Sequence, residues 1–187
     1  GSIGERLSIE CLQFEPQDLI ILDHSEFNLY KIENLLNEII LDRKINTRVI
    51  SILASIKDKK RIDKVFEKYK PDIVYHSAAY KHVSIVHNNI IESVTNNILG
   101  TLSIVECALK YHTPRFLLVS TDKAVRPTNI MGASKRFAEL IIQAKSNLSG
   151  KINTNFSIVR FGNVLGSSGS VVPKFTEQIK KGGPVTV

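Results

Sequence analysis

The 187-residue sequence contains no tryptophan, two cysteines and no long apolar run. A membrane span needs about 18 or more consecutive apolar residues, so we predict no span within this sequence. Cys11 and Cys107 each lie in an apolar helical pattern, which favours buried free thiols in a reducing compartment over a disulfide framework. The histidines at 24, 87 and 112 lack the spacing of metal ligands, and we expect no metal site.

The net charge of +7 raises the question of a nucleic-acid partner. Much of this charge lies at residues 57–61 and on helix faces such as Lys64 and Lys68, where basic residues alternate with acidic ones. No aromatic residues are interleaved with them and no arginine-rich arm is present, which argues against a nucleic-acid interface. An anionic substrate or an acidic membrane surface is a better match for this charge.

Short apolar runs alternate with helical patterns along the chain, and 43% of the residues are hydrophobic. This alternation predicts an α/β fold with a doubly wound parallel sheet, in which ligands bind beyond the carboxyl ends of the strands. The predicted strands are 19–22, 48–52, 71–76, 115–120 and 156–161. The predicted helices are 5–13, 25–43, 58–69, a helical region between the third and fourth strands up to 111, 129–145 and 173–180.

The chain begins with Gly1-Ser2-Ile3-Gly4, directly before the first predicted helix. A glycine-rich turn at a helix N-terminus places backbone N–H groups against a pyrophosphate. Asp23 follows about 20 residues later, where an acidic residue binds a ribose 2′-hydroxyl and favours NAD over NADP. The strand that precedes such a turn in a dinucleotide fold is absent from the sequence, and Gly1-Ser2 is also a common cloning remnant.

The segment Ser120-Thr121-Asp122-Lys123 places a hydroxyl, a carboxylate and an amine at the end of a predicted strand. Met131 and Lys135 are four residues apart on the following helix and therefore share a face. Because a thioether neither takes nor gives a proton, acid–base chemistry here has to rest on Asp122, Lys123 and Lys135.

Seven segments, taken together and in order, resemble the extended short-chain dehydrogenase/reductase family. Within it, they are similar to the CapD-like UDP-N-acetylglucosamine 4,6-dehydratases of bacterial polysaccharide and glycan biosynthesis. The segments are Gly1-Ser-Ile-Gly, Leu22-Asp-His-Ser-Glu, His76-Ser-Ala-Ala-Tyr-Lys-His-Val, Asn96-Asn-Ile-Leu-Gly-Thr, Ser120-Thr-Asp-Lys-Ala, Met131-Gly-Ala-Ser-Lys-Arg and Val159-Arg-Phe-Gly-Asn-Val-Leu-Gly-Ser.

The resemblance implies that residues 1–187 are the Rossmann-like, NAD-binding core of a longer nucleotide-sugar dehydratase. The family's first strand and most of its substrate lobe would lie outside these residues. The larger relatives carry membrane helices, so we expect a cytoplasmic protein or the cytoplasmic domain of an inner-membrane protein. Family members are usually homo-oligomers, and a UDP-sugar is the implied substrate.

The resemblance also implies residue roles. Thr121 would bind near the sugar C4 hydroxyl, while Asp122 and Lys123 would act as the acid and base of water elimination. Met131 stands where most of the family has a catalytic tyrosine, as in a subgroup of membrane-linked dehydratases. Lys135 would hold the nicotinamide ribose. The other implied cofactor contacts are Gly1, Ser2, Ile3, Gly4, Asp23, Ser25, Ser55, Ile56, Ala78, Ala79, Tyr80, Asn97, Phe161 and Gly162. The other implied substrate contacts are Lys81, His82, Arg160, Asn163 and Val171. Arg160 is a candidate partner for the pyrophosphate, because a guanidinium can make two parallel hydrogen bonds to it.

Two features leave alternatives open. Ser55 stands where the family often has an adenine-binding aspartate, which would weaken that contact. Without a tyrosine, the group that takes the C4 proton is undetermined, although Asp122 is a candidate.

A UDP-sugar 4-epimerase and a non-catalytic dinucleotide-binding sensor are the alternative functions. The Asp122–Lys123 pair favours the dehydratase, since neither alternative needs it.

Overall fold

The computed structural model of the protein describes residues 1–148, 154–164 and 171–185. Its strands are β1 (Asp18–Asp23), β2 (Arg48–Leu53), β3 (Ile73–His76), β4 (Arg115–Val119) and β5 (Asn155–Val159). Its helices are α1 (Ser2–Cys11), α2 (Glu26–Arg43), α3 (Lys59–Tyr69), α4 (Val83–Asn88), α5 (Ile90–Val94), α6 (Thr101–Lys110), α7 (Ile130–Leu148) and α8 (Val171–Lys180). Each observed strand matches a predicted one to within two residues at either end.

All the strand pairings described are parallel, which confirms the predicted α/β architecture. β1 pairs with β2 from Asp18 opposite Arg48 to Asp23 opposite Leu53. β4 lies between β3 and β5 in a three-stranded sheet. Among the described residues, β1 and β3 are not hydrogen-bonded to each other, so a doubly wound sheet would need one more strand between them, as the resemblance predicts.

Three predicted helical regions differ from the observed ones. Helix α7 extends to Leu148, three residues beyond its predicted end. The first helix begins at Ser2 and not at residue 5, because the N–H of Glu5 donates to the carbonyl of Gly1 at 2.9 Å and closes the first turn there. The helical region before β4 is divided into α4, α5 and α6. Asn89 has φ −136° and breaks the helix after α4, and a π-helical turn, Thr95–Gly100, joins α5 to α6.

Helix α3 shows how local sequence builds this fold. Asp58 caps its N-terminus by accepting a hydrogen bond from the N–H of Arg61 at 3.0 Å. Ile62, Val65 and Phe66 are buried at the spacing of one helix face. That face packs on a core that also receives α6, α7 and the three-stranded sheet; its members include Ile104, Val105, Ala108, Phe116, Leu118, Ala138 and Ile142.

A second, smaller core lies between β1 and its flanking helices, built on Leu12, Ile21, Leu29 and Leu36. Both cysteines are free thiols, and the predicted burial is found for Cys107 but not for Cys11. Cys107 is buried in the main core, and burial raises the pKa of its thiol to about 11, while Cys11 is half-buried. None of the described helices has the length and hydropathy to cross a membrane.

Candidate active site

The ends of β4 and β5 are joined by two backbone hydrogen bonds. The N–H of Ser120 donates to the carbonyl of Val159 at 2.7 Å, and the N–H of Asp122 donates to the carbonyl of Phe161 at 3.1 Å. A short 3-10 turn, Asp122–Ala124, follows. These bonds hold Asp122 and Lys123 at the carboxyl edge of the sheet, where parallel α/β folds bind ligands.

Thr121, Asp122 and Lys123 form one hydrogen-bonded group. Asp122 Oδ1 accepts from Thr121 Oγ1 at 2.9 Å and from Lys123 Nζ at 3.1 Å. The Lys123 ammonium and then the Thr121 hydroxyl hold the pKa of the Asp122 carboxyl below its usual value. Because the Asp122 side chain is 57% exposed, its carboxylate is accessible as an ionised base at neutral pH.

Gly162 lies against this carboxylate, where an added Cβ would approach Asp122 Oδ2 to 3.3 Å. Gly132, in the first turn of α7, lies even closer to the neighbouring residue, since a Cβ there would be 2.3 Å from the carbonyl oxygen of Lys123. The turn that carries Asp122 and Lys123 is therefore approached by backbone on two sides. The contact at Gly132 requires glycine, whereas a Cβ at residue 162 would need only a small shift of the exposed Asp122 carboxylate.

Lys135 and Met131 share a buried face of α7, as the four-residue spacing predicts. Lys135 is 7% exposed and its Nζ donates to the carbonyl of Val119 at 2.6 Å, at the end of β4. Burial lowers the pKa of this amine to about 8, against the opposing effect of nearby Glu139. Met131 is 4% exposed and is a packing residue in this structure.

Asn97 joins the loop after β3 to α7. Its Oδ1 accepts from the N–H of Tyr80 at 2.8 Å, and its Nδ2 donates to the carbonyl of Tyr80 and to Ser134 Oγ, both at 3.0 Å. Since Asn97 is almost fully buried, these contacts make it a support for the Tyr80 loop and not an exposed ligand contact.

The expected cofactor contacts at the chain start lie close to two strand ends. The backbone nitrogen of Gly1 is 3.6 Å from Asp23 Oδ2, at the end of β1. A Cβ added to Gly4 would be 3.3 Å from Ser77 Oγ, just beyond β3. Asp23 Oδ1 also accepts from the N–H of Ser25 at 2.9 Å. Ser2 and Ile3 lie in the same first turn of α1, so this turn and Asp23 form a backbone cradle at this edge of the fold.

The side chains beyond β2 and β3 extend this surface. Ser55 Oγ accepts from the N–H of Lys57 at 3.3 Å, whereas Ile56 is buried against Gly100, so only the backbone of Ile56 can face a ligand. Tyr80 contacts the ring of His24 edge-on with centroids 6.4 Å apart. Its hydroxyl also donates to Glu92 Oε1 at 3.3 Å, an oxygen shared with Lys57. Ala78 is exposed and Ala79 is half-buried beside these contacts.

The expected substrate contacts are distributed unevenly. Lys81 and His82 are exposed at the start of α4, and Phe161 and Asn163 are exposed beyond β5. Arg160, expected to meet a pyrophosphate, instead donates two hydrogen bonds to Glu139 at 2.8 and 2.6 Å. Val171 begins α8, and its side chain lies outside the described residues. No cluster of metal ligands is found in the described ranges.

Two buried polar groups near the site were not predicted. Glu139 is fully buried and accepts hydrogen bonds from Ser120, Arg136 and Arg160. His76, the last residue of β3, lies 2.8 Å from Thr101 Oγ1, and burial lowers the pKa of its imidazole to about 3. The available signal for Glu139 was its spacing, four residues after Lys135 on the face that already carries Met131.

Comparison with known proteins places this geometry in a family. A profile of the family described as "polysaccharide biosynthesis protein" matches residues 1–187. The capsular polysaccharide biosynthesis protein CapD of Staphylococcus aureus is 44% identical over 187 residues, which are 100% of this chain and 30% of CapD. An inverting UDP-N-acetylglucosamine 4,6-dehydratase of Campylobacter jejuni is 30% identical over 100% of this chain and 54% of its own length. A UDP-glucose 4-epimerase of Rickettsia canadensis is 31% identical over 100% of this chain and 53% of its own length.

Solved structures share the fold. Pen from Bacillus thuringiensis superimposes with a TM-score of 0.86 and 35% identity over 100% of this chain and 57% of Pen. DesIV, a dTDP-glucose 4,6-dehydratase from Streptomyces venezuelae solved with NAD bound, has a TM-score of 0.80 and 21% identity over 99% of this chain and 61% of DesIV. The chain thus spans between 30% and 61% of the length of these five proteins. The match along its whole length shows that the chain belongs to the polysaccharide biosynthesis protein family.

Proposed function

We propose that this chain is the NAD-binding core of a nucleotide-sugar 4,6-dehydratase acting on UDP-N-acetylglucosamine. The observation that carries the proposal is the Asp122–Lys123 ion pair at the end of β4, beside the buried amine of Lys135. Eliminating water from a sugar requires one group that protonates the departing oxygen and another that removes the neighbouring carbon-bound proton. A carboxyl and an amine in contact, with the carboxylate exposed, supply both.

NAD is the cofactor of the proposal. The cradle formed by the first turn of α1 and Asp23 suits a dinucleotide, and the carboxylate of Asp23 suits a free ribose 2′-hydroxyl. DesIV, which has the same fold, was solved with NAD. The chemistry that NAD supplies when bound is the removal of a hydride from C4 of the sugar and its return at C6. Lys135, anchored to Val119, would bind the nicotinamide ribose.

The side chains of this protein carry the protons of the proposed reaction. The Asp122 carboxylate accepts the proton of the C4 hydroxyl while C4 is oxidised, with the Thr121 hydroxyl orienting the carboxylate. Lys123, as the neutral amine left after its ammonium has released a proton to solvent, then removes the C5 proton, which the new C4 ketone acidifies. Asp122 donates its proton to the C6 oxygen, which leaves as water. Lys123 returns its proton to C5 as C6 is reduced. The sugar thereby loses one water, the Asp122 carboxylate and the neutral Lys123 amine are regenerated, and Lys123 regains its ammonium form by taking a proton from solvent.

A UDP-sugar 4-epimerase is the second candidate, favoured by the 31% identity to the Rickettsia epimerase. An epimerase needs hydride and proton transfer at C4 alone, so Lys123 would have no role in it. Met131 is buried in the position where the family usually has a tyrosine, which leaves an epimerase of the usual kind without its phenol.

The product mass separates these functions. The intact protein is incubated with NAD and UDP-N-acetylglucosamine, and the nucleotide sugar is analysed by mass spectrometry and NMR. Loss of one water supports the dehydratase, and an unchanged mass with an inverted C4 supports the epimerase. Cofactor binding without turnover of either UDP-N-acetylglucosamine or UDP-glucose supports a dinucleotide sensor and contradicts the proposal.

We also propose a cytoplasmic site of action and self-association. The two free thiols fit a reducing compartment. Exposed apolar side chains on α4, α5 and α7, including Ile85, Ile91 and Phe137, are available for contact with a second copy. Light scattering of the intact protein tests self-association, since a monomer at micromolar concentration would contradict it.

A further inference from the structure

Glu139 is a fully buried carboxylate that connects three elements around the proposed active site. It lies on α7 and accepts from Ser120 Oγ at 2.6 Å, immediately beyond β4. Arg160, immediately beyond β5, donates to it through Nε at 2.8 Å and Nη2 at 2.6 Å. Arg136, on its own helix, donates through Nη1 at 2.9 Å. A buried carboxylate is costly to desolvate, and this one is stabilised by charge-assisted hydrogen bonds from two separate strand ends.

The hydrogen bonds to Glu139 keep its carboxyl group ionised although it is buried. Burial acts to raise the pKa of the Glu139 carboxyl, but hydrogen bonds from Arg160, Ser120 and Arg136 outweigh it and hold the pKa at about 2. The carboxylate is therefore ionised at any pH at which the protein works. The two-pronged contact with Arg160 also fixes the direction of the guanidinium plane, which a single lysine amine would not do.

The residues that Glu139 holds directly precede those that place Asp122. Arg160 is followed by Phe161, whose carbonyl accepts the Asp122 N–H at 3.1 Å, and then by Gly162, which lies against the Asp122 carboxylate. Ser120 is followed by Thr121, whose hydroxyl donates to that carboxylate. Each strand end held by Glu139 thus leads within two residues to a contact with Asp122.

We propose that Glu139 is a positioning residue that aligns the ends of β4 and β5 so that Asp122 is presented to the substrate in one orientation. The catalytic consequence rests on the proposed function, because it assumes that Asp122 carries protons. Arg160 serves the same alignment and is not a pyrophosphate ligand. A displacement of the reacting group by about 1 Å lowers turnover by about 100-fold, so a modest shift between the two strand ends is sufficient to be measured.

The test compares Glu139→Gln with Arg136→Gln in the intact protein. Glu139→Gln removes the charge that holds both strand ends, whereas Arg136→Gln removes a donor to the same carboxylate from within α7 and leaves the links to Ser120 and Arg160 in place. For Glu139→Gln we expect kcat for water loss to fall about 10- to 100-fold with KM within about threefold of the wild type. Hydrogen exchange in peptides covering 119–124 and 159–163 should become faster, with exchange in β1 and β2 unchanged. For Arg136→Gln we expect neither change.

Three outcomes would overturn the proposal. The first is that Glu139→Gln keeps the wild-type kcat and the wild-type rates of hydrogen exchange. The second is an equal loss of kcat in Glu139→Gln and Arg136→Gln, which would indicate general destabilisation of α7. A rise in KM at unchanged kcat for Arg160→Lys would restore Arg160 as a substrate ligand. If Glu139→Gln fails to fold, Arg160→Lys, which loses the two-pronged contact at a less buried position, provides the same comparison. If the wild type releases no water, the proposed function fails, while the exchange rates still decide whether Glu139 holds the Asp122 turn.

Discussion

Gly132→Ala is a sensitive test of how the proposed active site is assembled. In the structure, an added Cβ would lie 2.3 Å from the carbonyl oxygen of Lys123 and 3.3 Å from Pro127 Cβ, whereas ordinary contact begins at 3.4 Å. The oxygen belongs to backbone in a tight turn and cannot rotate away as a side chain would. The first turn of α7 and the turn carrying Lys123 must therefore separate by about 1 Å to accept one methyl group.

Two opposing effects determine how much Gly132→Ala changes the free energy of unfolding. Alanine is favoured over glycine inside a helix by about 1 kcal/mol, which would stabilise the variant. Forcing an extra methyl group into a packed contact costs about 1 to 3 kcal/mol, and a backbone contact places this case near the upper end. We expect a net loss of about 1 to 2 kcal/mol in the free energy of unfolding. Displacement of Lys123 by about 1 Å should lower kcat by up to about 100-fold.

Urea denaturation and initial-rate measurements of water loss test both values on the same preparation. Ala133→Gly is the matched control, because it makes the reverse change at the next position of the same helix. We expect it to lose up to about 1 kcal/mol of stability and to keep the wild-type kcat. The reasoning is refuted if Gly132→Ala is as stable as the wild type and retains its kcat, since the turn would then accommodate the methyl group freely.

Three further predictions concern single side chains. Lys123→Ala should bind NAD with wild-type affinity, measured by calorimetry, yet release no water, and normal turnover would remove Lys123 from the mechanism. The pKa of Lys135 is about 8 in the folded protein against an ordinary 10.5, so the unfolded chain binds more protons between these values and stability rises with pH there. Lys135→Met should reduce that rise by up to about 3 kcal/mol in denaturation series from pH 8 to 10.5, and an unchanged slope would contradict the buried amine. Asn97→Ala should cost about 2 to 4 kcal/mol, because it leaves both backbone groups of Tyr80 without their partner; a loss below about 0.5 kcal/mol would show that water replaces the amide.

The strands were predictable because each is a short apolar run between polar residues, a pattern that a parallel sheet covered on both faces imposes on every strand. β2 was predicted as 48–52 and extends over Arg48–Leu53. The helical region before β4 was predicted less accurately than the strands. Asn96 and Asn97 lie in a π-helical turn there, and the hydrogen bonds of Asn97 to Tyr80 and Ser134 join residues 17 and 37 positions away. Helical periodicity records only local neighbours, so it contains no trace of these contacts.

In the candidate site, too, features set by local sequence were predictable and contacts between distant residues were not. The rule that ligands bind at strand carboxyl ends was sufficient to single out Thr121, Asp122 and Lys123 at the end of a predicted strand. The direction of the Arg160 side chain was not predictable, because its partner Glu139 is 21 positions earlier and on another element. A guanidinium has the geometry for a pyrophosphate and for a carboxylate alike, and only the fold decides which of them it meets.

The structure also bears on the C4 proton that a tyrosine would otherwise take. Met131 is buried and cannot take it, and the lowered pKa of Asp122 means that this residue enters the reaction as a carboxylate. In the proposed mechanism a carboxylate is the form needed first, because oxidation at C4 precedes elimination. After it has accepted that proton, Asp122 is the carboxylic acid that the elimination step needs at the C6 oxygen. The proton taken from C4 is then the one that leaves with the C6 oxygen. In the proposed mechanism, Asp122 and Lys123 together therefore provide a group for each proton transfer, although Met131 can perform none.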